Sequence, residues 1–429
     1  MLYNPLPFFL LPVGVYLLWR LKFFYILHPI RTLRMIWREL KQRENLSSLL
    51  LALAGTLGVG NLLGVAIGIM VGGPGSLFWL LLSAVPSSVL KYTEVAACSA
   101  DGAVGMSTLV KRTYPRLGKA LSLVYSFACL LLSLVMGACL QTVMIVDSAS
   151  SGFGSERMVV AAIVAVVVLV SIFRGAQSIS KITAIAIPLT TIIYIILAFL
   201  TISVNFERLG SVVLLIASRA FSPLALGGGL LALFTSSAVR EGFARGMLSN
   251  EAGAGTSTLA HATGGEIHAA KRGVFGVIEV YFDTVFLCTL SGLAILCSVP
   301  DPAEYQSGGE LLLSAVCKAL GGWAAIPLLL CICAFAYSTV ICWYYYGASS
   351  ASHLIGKPAG FAFMIIYLLF VLCGGVVSDG VPVYLADVLL LILALITLPT
   401  LIKNSDRVVS LSEQVGFIRK NTSKKGRDD

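Results

Sequence analysis

Long apolar runs separated by short polar segments dominate the chain. A helix needs about 20 mainly apolar residues to cross a bilayer. On that ruler the runs fall at residues 6–27, 48–71, 74–100, 118–146, 157–173, 184–204, 211–248, 273–298, 322–347, 360–377 and 381–402. The pattern predicts an all-α polytopic membrane protein with eleven transmembrane helices. The second run holds Gly55, Thr56, Gly58, Gly60, Asn61 and Gly64 in its middle, and each Gly weakens a helix by about 1 kcal/mol relative to Ala. The seventh is too long for one straight helix and contains Pro223 with Gly227, Gly228 and Gly229, so a break is expected there. The first run lacks a basic leader and is followed by its charges, which reads as a retained anchor rather than a cleaved signal.

The polar segments sharpen this picture. Basic residues follow every odd-numbered run: Arg31, Arg34, Arg38, Lys41 and Arg43, then Lys111, Arg112 and Arg116, then Arg174 and Lys181, Lys271 and Arg272, Lys357, and a tail with Arg419, Lys420, Lys424, Lys425 and Arg427. The alternate connections are short or acidic, as at Asp301, Glu304 and Glu310. Basic loops stay in the cytoplasm. The expected orientation is therefore N-terminus outside and C-terminus inside, in the plasma (inner) membrane. Residues 30–42 place basic residues at helical spacing among Leu33, Met35, Ile36, Trp37 and Leu40, an interfacial amphipathic helix. From residue 403 the chain is polar and basic, a mobile tail or a surface helix on anionic lipid.

Composition excludes the soluble classes. Of 429 residues 58% are hydrophobic and 12% charged, with a mean hydropathy of +0.92, where a soluble domain carries about 25% charged residues. The net charge of +9 is accounted for by topology, so no nucleic-acid partner is expected. The ten cysteines lie almost all in apolar runs without a C-x-x-C spacing, and read as small buried side chains.

Polar groups inside the runs are the candidate chemistry. A helix broken at 55–64 could hold a cation on loose carbonyls and a carboxylate on a half-helix amide end; small-residue packing is the other reading. Gln141 must face the bundle, as substrate contact or interhelical bond. Lys91 and Glu94, three apart, suggest a local ion pair. Arg240, Glu241 and Arg245 are expected at the cytoplasmic end of the seventh run. The string 249–257, with Ser249, Asn250, Glu251, Gly253 and Gly255, could line a cytoplasmic vestibule or cap a turn. Glu279, Asp283 and Thr284 lie in the eighth run, and Asp283 near mid-span is open to reading as cation ligand, proton site or structural partner. Ser338 and Thr339 offer hard oxygen ligands, and Trp343 shares the Thr339 face. Asp379 and Asp387 lie in the last outer turn and the eleventh run. A triad of Ser249 or Ser338 with His261 and Asp283 can be drawn, but no G-x-S-x-G elbow or phosphate loop occurs.

In order along the chain, residues 55–64, Gly72-Gly73-Pro74-Gly75 with Phe78-Trp79, Lys91-Tyr92 and Glu94, Ala244-Arg245-Gly246, residues 249–255 with His261-Ala262, Phe282-Asp283-Thr284, and Ser338-Thr339 with Trp343 and Tyr345-Tyr346-Gly347 resemble the alanine or glycine:cation symporter family. The resemblance spans roughly residues 23–387. It departs from the family strings at Leu80-Leu81, Pro86-Ser87, Ala138, 105–107 and 348–350. It implies the LeuT-like fold of the amino acid–polyamine–organocation superfamily: an N-terminal extra helix and interfacial segment (1–47), two inverted five-helix repeats with broken first helices (48–210 and 211–402), and a basic cytoplasmic tail (403–429). It further implies no enzyme activity, no cofactor, sodium as the coupling ion, and a small neutral amino acid as partner. Oligomeric state stays open. The substrate would meet Gly58, Val59, Gly60, Asn61, Gln141, Gly227, Gly228, Gly229, Thr339 and Trp343. Sodium would meet Gly55, Gly58, Ser338 and Thr339. Asn250, Glu251, Asp283 and Thr284 would gate or couple.

Overall fold

A computed structural model of the chain describes residues 5–173, 176–221, 236–356 and 359–419. Among the described residues the regular structure is helical throughout, with no β-strand. Helix α1 (Leu6–Arg20) ends in a reversal at Lys22 and Phe23, both at positive φ, before the amphipathic α2 (Pro29–Leu40). The second apolar run is split into α3 (Arg43–Thr56) and α4 (Leu63–Gly72). Then come α5 (Ser76–Ala100), α6 (Met106–Thr113), α7 (Gly118–Phe153), α8 (Arg157–Phe173), α9 (Ala176–Val204) and α10 (Phe206–Ala220). The second half holds α11 (Ser237–Asn250), the single turn α12 (Thr258–His261), α13 (Ala269–Ser298) and α14 (Gly308–Leu320). It continues with α15 (Ala325–Ile355), α16 (Ala359–Cys373) and α17 (Gly380–Gln414). Five stretches, 118–153, 187–204, 269–298, 322–355 and 380–414, are long and apolar enough to cross a membrane. The bundle is that of a multi-pass membrane protein.

Helix α5 is the hub, packed on both α11 and α13. The approach is close because glycines face it. A Cβ at Gly242 would lie 2.4 Å from the Ser76 carbonyl, and one at Gly246 2.1 Å from Ser83 Oγ. Small residues let backbones approach where lipid removes any hydrophobic drive between helices. Both α7 and α13 contain a π segment, at Ser133–Leu140 and Tyr281–Cys288. Such segments recur at functional sites, and these two lead into Gln141 and hold Asp283.

The seventh run is not one straight helix, as its length required: α10 is a separate amphipathic helix, tied at its end by Trp79 Nε1 donating to the Ala220 carbonyl (3.0 Å). Pro223 and residues 227–229, where the break was expected, lie outside the described set, and a separate reversal follows α11 at 251–257. Two expectations change. Helix α14 was not anticipated in the acidic connection. Its signal is a capping box: Ser307 Oγ accepts from Glu310 N, and Glu310 Oε2 accepts from Gln306 N (3.0 Å). The segment after residue 403 continues α17 to Gln414 with Ser405, Val408 and Ser412 buried on one face. It docks on the N-terminal segment, where Phe417 stacks on Phe24 with centroids 4.9 Å apart and Gly416 O accepts from Arg31 (3.1 Å).

Candidate functional site

The break at 57–62 follows from its glycines. Helix α3 ends at Thr56, a single 3-10 turn spans Val59–Asn61, and α4 starts at Leu63. The last carbonyls of a helix lack intrahelical partners, and here α15 reaches one of them: Thr339 Oγ1 donates to Ala54 O (3.0 Å). One turn earlier, Cys342 Sγ also contacts Leu51 O (3.5 Å). A Cβ at Gly58 would lie 2.8 Å from Thr339 Oγ1 and 3.1 Å from Gln141 Oε1. The structure thus brings Gly58, Thr339 and Gln141, from three separate helical segments, to one point. They border a cavity also lined by Gly55, Gly60, Met136, Leu140, Met144, Arg245, Leu248 and Ser249.

Other expected residues fall elsewhere. Ser338 bonds back to the carbonyls of Ala334 and Phe335 and does not line the cavity. Trp343 is fully buried against Gly137 and edge-on to Tyr346 (5.4 Å), away from the lining. The Val59 side chain lies outside the described set.

The second break has different chemistry. Helix α11 starts at an N-cap, Ser236, and ends at Asn250, where Glu251 turns to φ +53°. Gly253 at φ +87° and Gly255 at φ +74° continue the reversal, a region that side chains other than Gly rarely enter. The loop is buried and forms a turn. Gly253 N donates to Glu94 Oε1 (2.6 Å), and Tyr125 donates to Ala254 O (2.8 Å). Lys91 does not pair with Glu94. Its Nζ lies 3.2 Å from Glu279 Oε1 on α13 and 2.8 Å from Ser257 Oγ. Glu279 Oε2 in turn meets His261 Nε2 at 2.9 Å.

One polar chain connects the two breaks. Ser249 Oγ lies 2.7 Å from Asn61 Oδ1 and 2.8 Å from Asp283 Oδ2, and its single proton serves one of them at a time. Thr284 Oγ1 donates to Asp283 Oδ2 (2.9 Å) and accepts from Asn250 Nδ2 (3.1 Å). Asp283 and Thr284 are fully buried, as is Asn250. No triad exists: Ser249 reaches Asp283 directly, and His261 is held by Glu279.

Arg240, Glu241 and Arg245 lie on α11, the first two in its opening turns. A Cβ at Gly72 would touch Glu241 Cβ at 2.9 Å, so this end neighbours the 72–75 turn. Arg245 pairs with Asp387 (3.1 Å) and Glu241 (3.4 Å). These residues line a second cavity of about 450 Å³ with Gln306, Asp379 and Tyr384. Ile67, Arg245 and Val383 border both cavities and so form the partition between them. Sequence reading missed this role of Arg245. The signal available was an arginine eight residues into a helix whose neighbours Gly242 and Gly246 mark a tightly packed face.

A broken helix wrapped around a small enclosed pocket, inside a helical bundle, defines the class of secondary membrane transporters. The chain belongs to the sodium:alanine symporter family, whose model matches residues 1–426. It is 28% identical to the sodium/alanine symporter AgcS of Methanococcus maripaludis over 97% of this chain and 95% of that protein. It is 29% identical to a sodium/proton-dependent alanine carrier protein of Bacillus sp. strain PS3, over 76% and 77% of the two. In fold it matches the crystal structure of MhsT in complex with L-phenylalanine, with a TM-score of 0.63 at 13% identity, over 83% of this chain and 88% of that one. The relatives are transporters, and this chain is a LeuT-like carrier of amino acids, not an enzyme.

Proposed function

We propose that the chain imports a small neutral amino acid, alanine or glycine, in symport with sodium by alternating access, with its C-terminus in the cytoplasm of a cell whose inner membrane holds it. The observation that carries this reading is the meeting of Gly58, Gln141 and Thr339 at the helix break. Backbone amides at the N-terminal end of α4 suit a carboxylate. Gln141 and loose carbonyls around 55–58 suit an ammonium. Met136, Leu140, Met144 and Leu248 leave an apolar wall for a short side chain. Sodium, the co-transported cargo, would take carbonyl oxygens at Gly55 and Gly58 together with Thr339, with Ser338 one residue away. One sodium crossing 100 mV contributes about 2.3 kcal/mol, roughly a fifty-fold accumulation before any concentration gradient. Asn250, Glu251, Asp283 and Thr284 would couple the second break to the first through Ser249 and Asn61.

The test is alanine and glycine uptake into proteoliposomes with an imposed sodium gradient. Sodium-stimulated uptake of either supports the reading. Uptake indifferent to sodium overturns the coupling, and absence of uptake for both overturns the substrate class.

A second reading, proton coupling, or a sensor that binds without transport, is favoured by one observation. Glu94, Glu251, Glu279 and Asp283 are all buried around a single lysine, Lys91. A buried charge needs a partner; His261 meets Glu279 (2.9 Å), and the carboxylates left over call for a proton or a bound cation. Under proton coupling, uptake follows an imposed pH gradient and Asp283→Asn abolishes that response. Under sodium coupling, Asp283→Asn shifts sodium dependence and leaves no pH-driven uptake in either protein.

A further inference from the structure

We propose that Arg245 is a specificity-determining residue of the carrier, its Nη1 taking one oxygen of the substrate carboxylate at the partition between the two cavities. The inference rests on the reading of the pocket at the first helix break as the amino-acid site. Helix α11 runs along the partition with a stripe at helical spacing. Glu241, Ala244 and Arg245 line the outer cavity, and Arg245, Leu248 and Ser249 line the inner one. Arg245 is the member of the stripe that borders both. Its stem lies against α4, where Gly68 makes room: a Cβ there would lie 3.0 Å from Arg245 Cγ. The residue is only 5% exposed.

Covalent geometry divides the guanidinium. It is a rigid planar fork in which Nε and Nη2 share one edge and Nη1 lies across the Cζ–Nε axis from it. Nη2 donates to Asp387 (3.1 Å) and Nε lies 3.4 Å from Glu241. Both acids line the outer cavity and neither lines the inner one. Nη1 is buried and has no acceptor among the described residues. The outer cavity, at about 450 Å³, has room to wet any group that faces it, yet Nη1 is dry. The inner pocket is therefore where its two N–H groups find an acceptor. Charge selects the occupant. The outer cavity sets Arg240 and Arg245 against Glu241, Asp379 and Asp387, an excess of one carboxylate, so a free anion such as chloride would add to a negative surplus. A zwitterionic amino acid adds no net charge and still presents a carboxylate, the acceptor that a guanidinium matches best. The amides at the start of α4 take its second oxygen, and Gln141 its ammonium. An amine without the carboxylate leaves Nη1 bare, and a site built around such a bond rejects the analogue that lacks it.

The experiment titrates the purified full chain in sodium buffer with alanine, glycine or alaninamide, which keeps the ammonium and methyl group but lacks the carboxylate. Binding is read from the rise in unfolding temperature. The wild type is expected to favour alanine over alaninamide by roughly 10- to 100-fold, the range of one charge-assisted hydrogen bond. In Arg245→Lys one ammonium can face Asp387 but has no second arm for the pocket. Alanine binding then falls by about that same factor, alaninamide binding stays, and the preference collapses. Asp387→Asn removes the outer partner and leaves Nη1 in place, so the preference is retained. Equal losses for alanine and alaninamide in R245K make Arg245 a structural or gating residue and overturn the proposal, with the pocket reading intact. A preference lost as fully in D387N as in R245K overturns it too, by assigning the effect to the ion pair. If neither alanine nor glycine stabilises the wild type, the pocket reading fails and this inference fails with it. Should R245K not fold, E241Q/R245Q/D387N removes the acids together with the arginine, and its alanine preference must likewise be lost.

Discussion

The two helix breaks solve one problem with opposite materials. At 57–62 the chain uses glycine, and a freed carbonyl of α3, that of Ala54, is satisfied by the Thr339 hydroxyl of α15. At 251–257 it uses charge: Glu94 takes the amide of Gly253, Thr256 donates to Glu251, and Lys91 bridges Ser257 and Glu279. The first break is therefore adaptable, with neutral donors that can exchange for a ligand at little cost. The second is locked, because each buried charge depends on a named partner. One break is built to be emptied and refilled, the other to hold a shape until its ionic state changes.

Removing half of the locked arrangement should have the largest effect. Lys91→Met or Glu279→Gln alone removes one partner of a buried ion pair and is expected to destabilise by about 3–5 kcal/mol. The double variant should recover much of that loss. Thermal unfolding in detergent reads both, and equal losses in single and double variants would show that the pair is not the source of the lock. At the adaptable break the expectation reverses. Gly58→Val should reduce uptake more than tenfold, since even a Cβ meets Thr339 at 2.8 Å, while the melting temperature stays close to wild type. A large drop in melting temperature instead would place the first break among the structural elements.

The smallest effect belongs to a charge cluster outside both breaks. Asp101, in the turn after α5, meets Arg112 and Arg407, each at 2.9 Å. Burial alone would raise its carboxyl, but hydrogen bonds from Arg407 and Arg112 prevail and hold it below the ordinary value of 3.8. Its contribution is complete above that value and disappears as pH falls through the lower folded one. Both arginines are about half exposed, so screening keeps the contribution to about 1 kcal/mol or less. Asp101→Asn should flatten the acid limb of the stability–pH curve and leave the two breaks unaffected.

The membrane class, the break at 57–62 and the burial of Gln141 inside the bundle were legible because lipid punishes polar groups and glycines that have no task. The reversal at 251–257 was not, because it turns on Glu251 at a positive φ that no propensity would assign. Pairing was equally hidden. Lys91 lies one turn from Glu94, but a carboxylate from α13 reaches its ammonium first, and only tertiary packing decides between two such neighbours. Arg245 read as an inner-rim charge because it stands near the end of its apolar run; packing instead buries it beside Glu241 and Asp387.

The docking of residues 416–419 onto the start of the chain bears on how the protein is made. Arg31 and Gly416 are 385 residues apart in the chain. At a synthesis rate of about 5–20 residues per second, roughly 20 to 80 s pass between the emergence of one and of the other. During that interval Phe24 lacks the ring of Phe417 that it stacks on in the finished molecule, so the N-terminal segment waits, incompletely covered, for residues 416–417 to leave the ribosome.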